Sequence, residues 1–134
     1  MEVRIIINKN SPSLEEVKNF LREKKAGAIF IFNGAVRSVN DGKEVEKLEY
    51  EVDKETVENE LKKFLKKYKK NVYKIFIYQA EGILPVGEDT IIIGVSSESR
   101  KEAFSACEEI LEFMKHKLPV WKKEYYKNGK NHWL

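Results

Sequence analysis

The chain has 134 residues, of which 42% are hydrophobic and 35% are charged, a balance typical of one globular domain rather than of a disordered segment. The 25 Lys and Arg residues against 22 Asp and Glu residues give a formal net charge of +3, which is too small to indicate nucleic-acid binding by itself. A single cysteine excludes an internal disulfide and a cysteine-rich metal site. Since the N-terminal residues lack the layout of a signal peptide and no apolar run approaches the ~20 residues of a membrane span, we expect one domain over residues 1–134 in the cytoplasm.

The first third of the chain predicts a strand, a helix and a second strand. Val3–Asn8 is rich in β-branched residues, as strands are. Ser13 followed by Glu16 has the spacing of a capping box and predicts the start of a helix. Ala28–Val36 predicts the second strand, and its nearly continuous apolar start indicates burial on both faces. Residues 38–42, with the sequence Ser-Val-Asn-Asp-Gly, predict a turn.

The middle of the chain predicts three further strands and a second helix. In Val45–Val52, mostly charged residues at odd positions alternate with mostly apolar residues at even positions. Val72–Gln79 and Thr90–Ser96 are strongly apolar. All three patterns are typical of strands. Residues 81–88 contain two glycines and a proline and therefore predict a loop. The apolar face of the second helix consists of Val57, Leu61, Phe64, Leu65 and Tyr68.

The last third predicts a long helix and a short strand. The helix runs from about Ser99 to Lys117 and ends because Pro119 disfavours helical geometry at the residue before it. Val120–Tyr126 predicts a strand, and Asn128-Gly129 predicts a turn. The apolar stripe of the helix consists of Ala103, Phe104, Cys107, Ile110, Leu111 and Met114. The order βαββαββαβ predicts an α+β fold, with three helices packed on a mixed or antiparallel sheet.

Positive charge is concentrated in the C-terminal segment. Residues 113–134 contain six lysines and one acid, Glu124, which indicates an anionic ligand or an acidic partner surface. Lys115 borders the apolar stripe, where partial burial lowers a lysine pKa and permits acid–base or nucleophilic chemistry; alternatively, it only extends its stem over the core. Lys122 follows Pro119, and a turn there can bring it beside Lys115, unless it belongs to a solvated lysine-rich strand.

Two arginines occupy positions where sites are commonly built. Arg37 ends an apolar strand before a turn, although from position alone an exposed arginine that caps the strand is the simpler interpretation. Arg100 opens the third helix, where a cation opposes the helix dipole, so it either serves a site or pairs with a neighbouring acid. Arg100 and Lys115 are roughly 22 Å apart along one predicted helix, at about 1.5 Å per residue. If both serve one site, two copies of the chain must share it, which predicts a homodimer.

The usual signatures of cofactor binding are missing from the sequence. There is no Walker loop, no G-x-G-x-x-G fingerprint and no serine elbow. His116 and His132 lie far apart, without the spacing of metal ligands. We therefore expect neither a cofactor nor a metal site.

Several segments, in order along the chain, resemble the large-subunit family of molybdopterin synthase. The most specific is residues 115–124, which follow the family pattern K-x-x-x-P-[IFV]-W-K-[KR]-E. Residues 32–42 resemble F-x-G-x-V-R-x-x-N-x-G, residues 48–51 resemble L-x-Y-E, and residues 82–88 resemble G-x-L-x-x-G-[DE]. Arg100, Ala103 and Phe104 resemble a further R-x-x-A-F element.

This resemblance implies a fold, an activity and a set of site residues. The family has an α/β hammerhead-type fold and forms a central homodimer with one small subunit at each end, a heterotetramer. Its members act as sulfurtransferases: they bind cyclic pyranopterin monophosphate and accept sulfur from the C-terminal Gly-Gly thiocarboxylate of a small ubiquitin-like subunit, forming the dithiolene of molybdopterin. The matching positions imply that Lys115 and Lys122 are catalytic, that Arg37 and Arg100 bind substrate, and that no metal is required.

The chain also departs from the family pattern. Ser99 stands where the family has a histidine before Arg100, and Gln79-Ala80 replaces a His-Arg pair. These departures leave open a non-catalytic paralogue that only binds the small subunit. A second alternative is a basic α+β module that binds RNA, supported by four aromatic residues among the C-terminal lysines: Trp121, Tyr125, Tyr126 and Trp133.

Overall fold

Two β-sheets and three helices make up the fold, and the computed structural model describes all residues, 1–134. In chain order the elements are β1 (Glu2–Asn8), α1 (Leu14–Leu21), β2 (Ala28–Ala35), β3 (Val39–Asn40), β4 (Lys43–Val52), α2 (Lys54–Leu65), β5 (Val72–Ala80), β6 (Gly82–Pro85), β7 (Asp89–Ser97), α3 (Arg100–Lys117), β8 (Val120–Tyr126) and β9 (Asn131–Trp133). The predicted α+β class is confirmed, and every predicted helix and strand is present. The short strands β3, β6 and β9 were not predicted, and β6 lies in the segment predicted as a loop.

The first sheet has the strand order β1-β5-β7-β2. β1 is parallel to β5, whereas β7 is antiparallel to both of its neighbours. Alternate residues of β5 belong to two separate cores: Phe76 and Tyr78 pack with α1 and the second sheet, and Ile75 and Ile77 pack with α2 and α3. The apolar sequence of β5 follows from this position, because both of its faces are covered.

The helix α1 packs closely against Gly94 of the first sheet. It begins as predicted, with the Ser13 hydroxyl accepting a hydrogen bond from the Glu16 N–H at 3.1 Å. Its buried face lies over Gly94 of β7, where an added Cβ would be 2.5 Å from Leu21 Cδ1 and 3.3 Å from Val17 Cγ1. Glycine at this position therefore sets how closely the helix approaches the strand.

β2 is an edge strand, and both of its faces are covered as predicted, with Ala28 and Phe30 packed against one core and Ile29 and Ile31 against the other. Its apolar residues are only partly buried, and it pairs with β7 alone. Phe104 of α3, predicted as part of the buried stripe, is 56% exposed and packs edge-on against Phe30 of β2 at a ring-centroid distance of 4.7 Å. Ala106 occupies the buried stripe of α3 that Phe104 was predicted to share. An apolar strand with an unpaired edge can pair with another chain.

The second sheet has the order β3-β4-β8-β9, and β6 also pairs with β4. Asp41 and Gly42, with φ angles of 52° and 76°, form the tight turn between β3 and β4, and positive φ at both positions is typical of two-residue hairpins. A bulge between Val45 and Lys47 shifts the register of β4 against β8. As a result Val45 and Leu48 are both buried, whereas simple alternation predicts opposite faces.

Candidate active site

An open cleft of about 560 Å³ lies between the two sheets, beside the C-terminal end of α3. Half of its lining is apolar, and this part includes Phe32, Leu48, Ile91, Met114 and Val120. The polar part includes Arg37, Asn40, Tyr50, Gln79, Thr90, Lys115, His116, Lys122 and Glu124. Residues from the first sheet, the second sheet and α3 therefore meet at one place, which local sequence patterns alone do not define.

Arg37 reaches the cleft because the residue before it is anchored. Val36 is buried, its N–H donates to the Glu88 carbonyl at 2.9 Å, and its carbonyl accepts from the Gly87 N–H at 2.8 Å. The exposed Arg37 side chain donates from Nη2 to Asn40 Oδ1 at 2.5 Å. The guanidinium is thus attached to the β3–β4 hairpin and does not simply extend into solvent.

Lys115 and Lys122 enter the same cleft from different elements. Lys115 lies in the last turn of α3, directly after the buried Met114, where a cation interacts favourably with the helix dipole. Leu118, with φ −103° and ψ 148°, is extended and ends the helix before Pro119. Lys122 lies on β8 opposite Tyr50 of β4. The predicted approach of Lys122 to Lys115 is therefore present, and both lysines line the cleft with Arg37.

The surroundings of Lys122 lower its pKa below the ordinary lysine value of 10.5. The largest cause is desolvation, because the cleft wall excludes water from around the ammonium group. The residue as a whole is nevertheless exposed to solvent. The positive charge of Lys115 lowers the pKa further, Glu124 raises it, and Arg37 adds a smaller lowering effect. A lysine in this setting releases its proton more readily than a free one.

Glu124 is a buried carboxylate, 5% exposed, that the sequence marked only as a motif position. The Asn40 side-chain nitrogen donates to both of its oxygens, at 2.9 and 3.0 Å, and the Tyr126 hydroxyl donates to Oε1 at 2.9 Å. Two signals could have identified it: Glu124 is the one acid of the basic C-terminal segment, and it lies two residues from Lys122 on the same face of a strand.

Neutral polar side chains line another part of the cleft wall. Gln79 and Thr90 are buried, and Tyr50 is partly buried. Burial raises the pKa of Tyr50, and the nearby Thr90 side chain partly offsets this. Gln79 stands at a position where the family pattern has histidine, so the cleft has an uncharged amide there. These groups offer hydrogen bonds without adding charge.

Arg100 does not line the cleft. It is the first residue of α3, and the cleft lies at the other end of that helix, roughly 22 Å away at about 1.5 Å per residue. Its side chain takes part in none of the chain's ion pairs, so the alternative that it pairs with a neighbouring acid is wrong. The nearby Glu102 instead accepts a hydrogen bond from the Ser99 hydroxyl.

Cys107 and His116 also carry reactive or metal-binding side chains, and of the two only His116 lines the cleft. Cys107 is 2% exposed, and burial raises the pKa of its thiol to about 11, so it is protonated and inaccessible. His116 pairs with Glu112 at 3.1 Å, and no group of three or more His, Cys, Asp or Glu side chains is placed to hold a metal ion. None of the three helices is long and apolar enough to cross a membrane.

The fold and the cleft together define an α+β protein with a cationic site between two sheets. The model of the MoaE protein family matches residues 7–117. The molybdopterin synthase catalytic subunit of Thermoplasma volcanium is 36% identical over 117 residues, which cover 86% of this chain and 85% of that relative. The crystal structure of molybdopterin synthase from Staphylococcus aureus has a TM-score of 0.81 and 27% identity, over 98% of this chain and 95% of that one.

A third comparison extends the fold match. The complex of subunits 1 and 2 of the molybdopterin-converting factor from Helicobacter pylori contains a chain with a TM-score of 0.69 and 23% identity, over 96% of this chain and 87% of that chain. At this identity the match shows the fold alone. The chain belongs to the MoaE family, the family of the molybdopterin synthase catalytic subunits named above, as its sequence motifs predicted.

Proposed function

We propose that the cleft binds cyclic pyranopterin monophosphate and that the chain transfers sulfur to it as the catalytic subunit of a molybdopterin synthase. The observation that carries this proposal is the meeting of Arg37, Lys115 and Lys122 in one cleft. The three cations come from the segment after β2, from the end of α3 and from β8, and all three occupy positions of the family motifs. The geometry and the resemblance therefore support the same site.

The charge and shape of the cleft suit a phosphorylated ring compound. Three cations and the Glu124 carboxylate leave a formal excess of two positive charges, which complements the negative charge of the substrate's phosphate. The apolar wall, with Phe32 and Ile91, offers a surface for a flat heterocycle. In this proposal Arg37 and Lys115 hold the phosphate, and the uncharged wall contacts the ring.

The sulfur donor in this proposal is the C-terminal Gly-Gly thiocarboxylate of a small ubiquitin-like subunit. The thiocarboxylate sulfur attacks an electrophilic carbon of the pterin substrate, so that a carbon–sulfur bond forms while a carbon–oxygen bond at that carbon breaks and the departing oxygen takes up a proton. Water then cleaves the acyl–sulfur bond, so that the sulfur stays on the substrate and the small subunit leaves with a C-terminal carboxylate. Two such transfers give the dithiolene. The buried thiol of Cys107 takes no part, since it is protonated and inaccessible.

The lysines supply charge stabilisation and proton transfer in this scheme. Cleavage of the acyl–sulfur bond passes through an oxyanion, which a nearby ammonium group stabilises. The lowered pKa of Lys122 suits it to donate and accept a proton during the reaction. Lys115, at the end of α3, provides the fixed positive charge.

A second copy of the chain completes the site if Arg100 takes part. β2 has one unpaired edge. At one end of this strand Phe30 packs against Phe104 of α3, and at the other end Phe32 and Gly34 form part of the cleft wall. Antiparallel pairing of two β2 edges about a twofold axis brings the Arg100 end of one copy beside the cleft of the other. Burial of the exposed Phe104 would stabilise this homodimer, which carries one small subunit at each end as a heterotetramer.

An activity assay with matched lysine variants tests the proposal. Product formation from the pterin substrate and the thiocarboxylated small subunit is measured as kcat/KM. Lys115→Ala and Lys122→Ala are each expected to lower it by about a hundredfold or more. The controls Lys117→Ala and Lys123→Ala remove neighbouring lysines that do not line the cleft and should retain wild-type activity. Full activity in both cleft variants would overturn the assigned roles, and small-subunit binding by an inactive wild type would identify a non-catalytic paralogue.

The outer face of the second sheet does not favour the RNA-binding alternative. Trp121 and Trp133 are exposed there, and the Lys123 ammonium already lies 5.2 Å from the Trp133 ring centre. The acids Glu49 and Glu51 alternate along β4 on this face and offset the charges of Lys47 and Lys123. Binding to a phosphate backbone requires a positive excess, so a salt-dependent oligonucleotide-binding assay should detect no interaction at this face.

A further inference from the structure

We propose that Glu124 is a positioning residue that fixes the Arg37 guanidinium in the cleft by orienting the Asn40 side-chain amide. The inference rests on the proposed function, because it assigns Arg37 to substrate binding. Glu124 itself does not contact the substrate in this scheme. It acts through Asn40, on the neighbouring β3–β4 hairpin.

The hydrogen bonds define a linear relay. Both Glu124 oxygens accept from the Asn40 nitrogen, at 2.9 and 3.0 Å, and Asn40 Oδ1 accepts from Arg37 Nη2 at 2.5 Å. A carboxylate only accepts hydrogen bonds, whereas an amide has one donor side and one acceptor side. The carboxylate therefore forces the Asn40 nitrogen towards itself, and the amide oxygen is left facing Arg37.

The burial of Glu124 indicates that its charge is maintained for a purpose. A carboxylate that is 5% exposed is costly unless hydrogen bonds and opposite charges compensate for the lost water. The Asn40 amide and the Tyr126 hydroxyl supply the hydrogen bonds. A neutral polar side chain at residue 124 could also bond to the hairpin, and its burial would cost less desolvation free energy. It would not, however, determine which way the Asn40 amide faces.

The same carboxylate also acts on Lys122. The charged and titratable groups around the Lys122 ammonium are Lys115 and His116 from α3, Arg37 from the segment after β2, Tyr50 from β4 and Glu124 from β8. Among them Glu124 is the influence that raises the Lys122 pKa. Loss of this charge must therefore move the titration of Lys122 to lower pH.

A set of three variants separates the relay from a purely structural role. Glu124→Gln replaces one of the two acceptor oxygens with a donor, so both orientations of the Asn40 amide become compatible with residue 124 and Arg37 loses its fixed acceptor. The Asn40→Asp, Glu124→Gln double variant restores the relay with the negative charge moved from residue 124 to residue 40. The new carboxylate at residue 40 accepts hydrogen bonds from the amide at residue 124 and from the Arg37 guanidinium. Asn40→Ala breaks the relay but leaves the Glu124 charge in place. Thermal unfolding of each variant controls for loss of fold.

The expected kinetic result depends on polarity and not on packing alone. Glu124→Gln and Asn40→Ala should each lower kcat/KM by about tenfold or more, as expected for a lost hydrogen bond to a charged group, and the double variant should regain most of this loss. A double variant as impaired as Glu124→Gln at equal thermal stability would overturn the proposal. So would wild-type kcat/KM in Asn40→Ala.

A titration that does not require turnover tests the assigned charge of Glu124 independently of the proposed function. The pH dependence of the ¹³C-methylated Lys122 signal is followed by NMR in the whole protein, with Lys122→Arg to assign it. The titration should move to lower pH in Glu124→Gln, return towards wild type in the double variant and stay at the wild-type position in Asn40→Ala. An unchanged titration in Glu124→Gln would contradict the assigned charge coupling, whether or not the wild type forms product.

Discussion

Complementation between inactive variants tests whether two copies of the chain share one site. Arg100 and Lys115 lie near opposite ends of the 18-residue helix α3, roughly 22 Å apart at about 1.5 Å per residue. A substrate held at Lys115 therefore cannot contact Arg100 of the same chain. In a homodimer that pairs the Arg100 end of one copy with the cleft of the other, the two residues of one site belong to different chains.

The expected recovery follows from the symmetry of a twofold dimer. When Arg100→Ala and Lys115→Ala chains are mixed in equal amounts and exchange freely, about half of the dimers are mixed. Each mixed dimer has one site with both native residues and one site with neither. About a quarter of all sites are therefore intact, and roughly a quarter of wild-type kcat should return.

The control uses two residues of the same cleft. Arg37 and Lys115 line one cleft of one chain, so a mixed dimer of Arg37→Ala and Lys115→Ala contains no intact site and should stay inactive. Activity is measured after co-refolding, and light scattering confirms that dimers form. Failure of the Arg100 and Lys115 pair to recover activity, with dimers present, would refute the shared site, and so would recovery in the control pair.

Three other features of the structure lead to predictions of their own. The lowered pKa of Lys122 means that its amine should react with a limiting acylating reagent at lower pH than an ordinary lysine does. Peptide mass spectrometry over a pH series should show this earlier reaction, and modification only at the pH of a free lysine would contradict it. Because the unfolded chain binds more protons at this group, the contribution of Lys122 to stability should also improve as pH rises. Gly94→Ala places a Cβ 2.5 Å from Leu21 Cδ1 and should destabilise the fold by about 1–3 kcal/mol in urea unfolding, so an unchanged midpoint would show that α1 shifts freely. Cys107→Ala should keep kcat/KM within about twofold while costing roughly 1 kcal/mol of stability from the lost buried sulfur, and an inactive but folded variant would implicate the thiol.

Local patterns in the sequence were sufficient to predict most of the fold. The Ser13 cap, the apolar stripe of α3 and the stop at Pro119 each depend on residues within a few positions of one another. The approach of Lys122 to Lys115 was also within reach, because a short turn at Pro119 joins the helix that carries one to the strand that carries the other. Such features are encoded by near neighbours, and they are the ones that the structure confirms.

The features that could not be predicted depend on pairing between distant segments. Whether β2 is central or an edge is decided by which strands lie beside it, and its apolar sequence suits a central strand equally well. The bulge at Val45 and Lys47 arises from pairing with β8, about eighty residues further along the chain. The Glu124 contacts require the β3–β4 hairpin and β8 to meet, so its position among the C-terminal lysines could mark it as unusual but could not reveal its burial or its bond to Asn40.

The composition of the cleft explains why one buried acid stands among three cations. Arg37, Lys115 and Lys122 repel one another, and the low dielectric of a half-apolar wall strengthens that repulsion. A counter-charge lowers the free energy of holding them together. Glu124 offsets part of the repulsion and, through Asn40, determines where one of the cations lies. Under the proposed function, the remaining positive excess is available to the phosphate of the substrate, and the cations need little rearrangement to bind it.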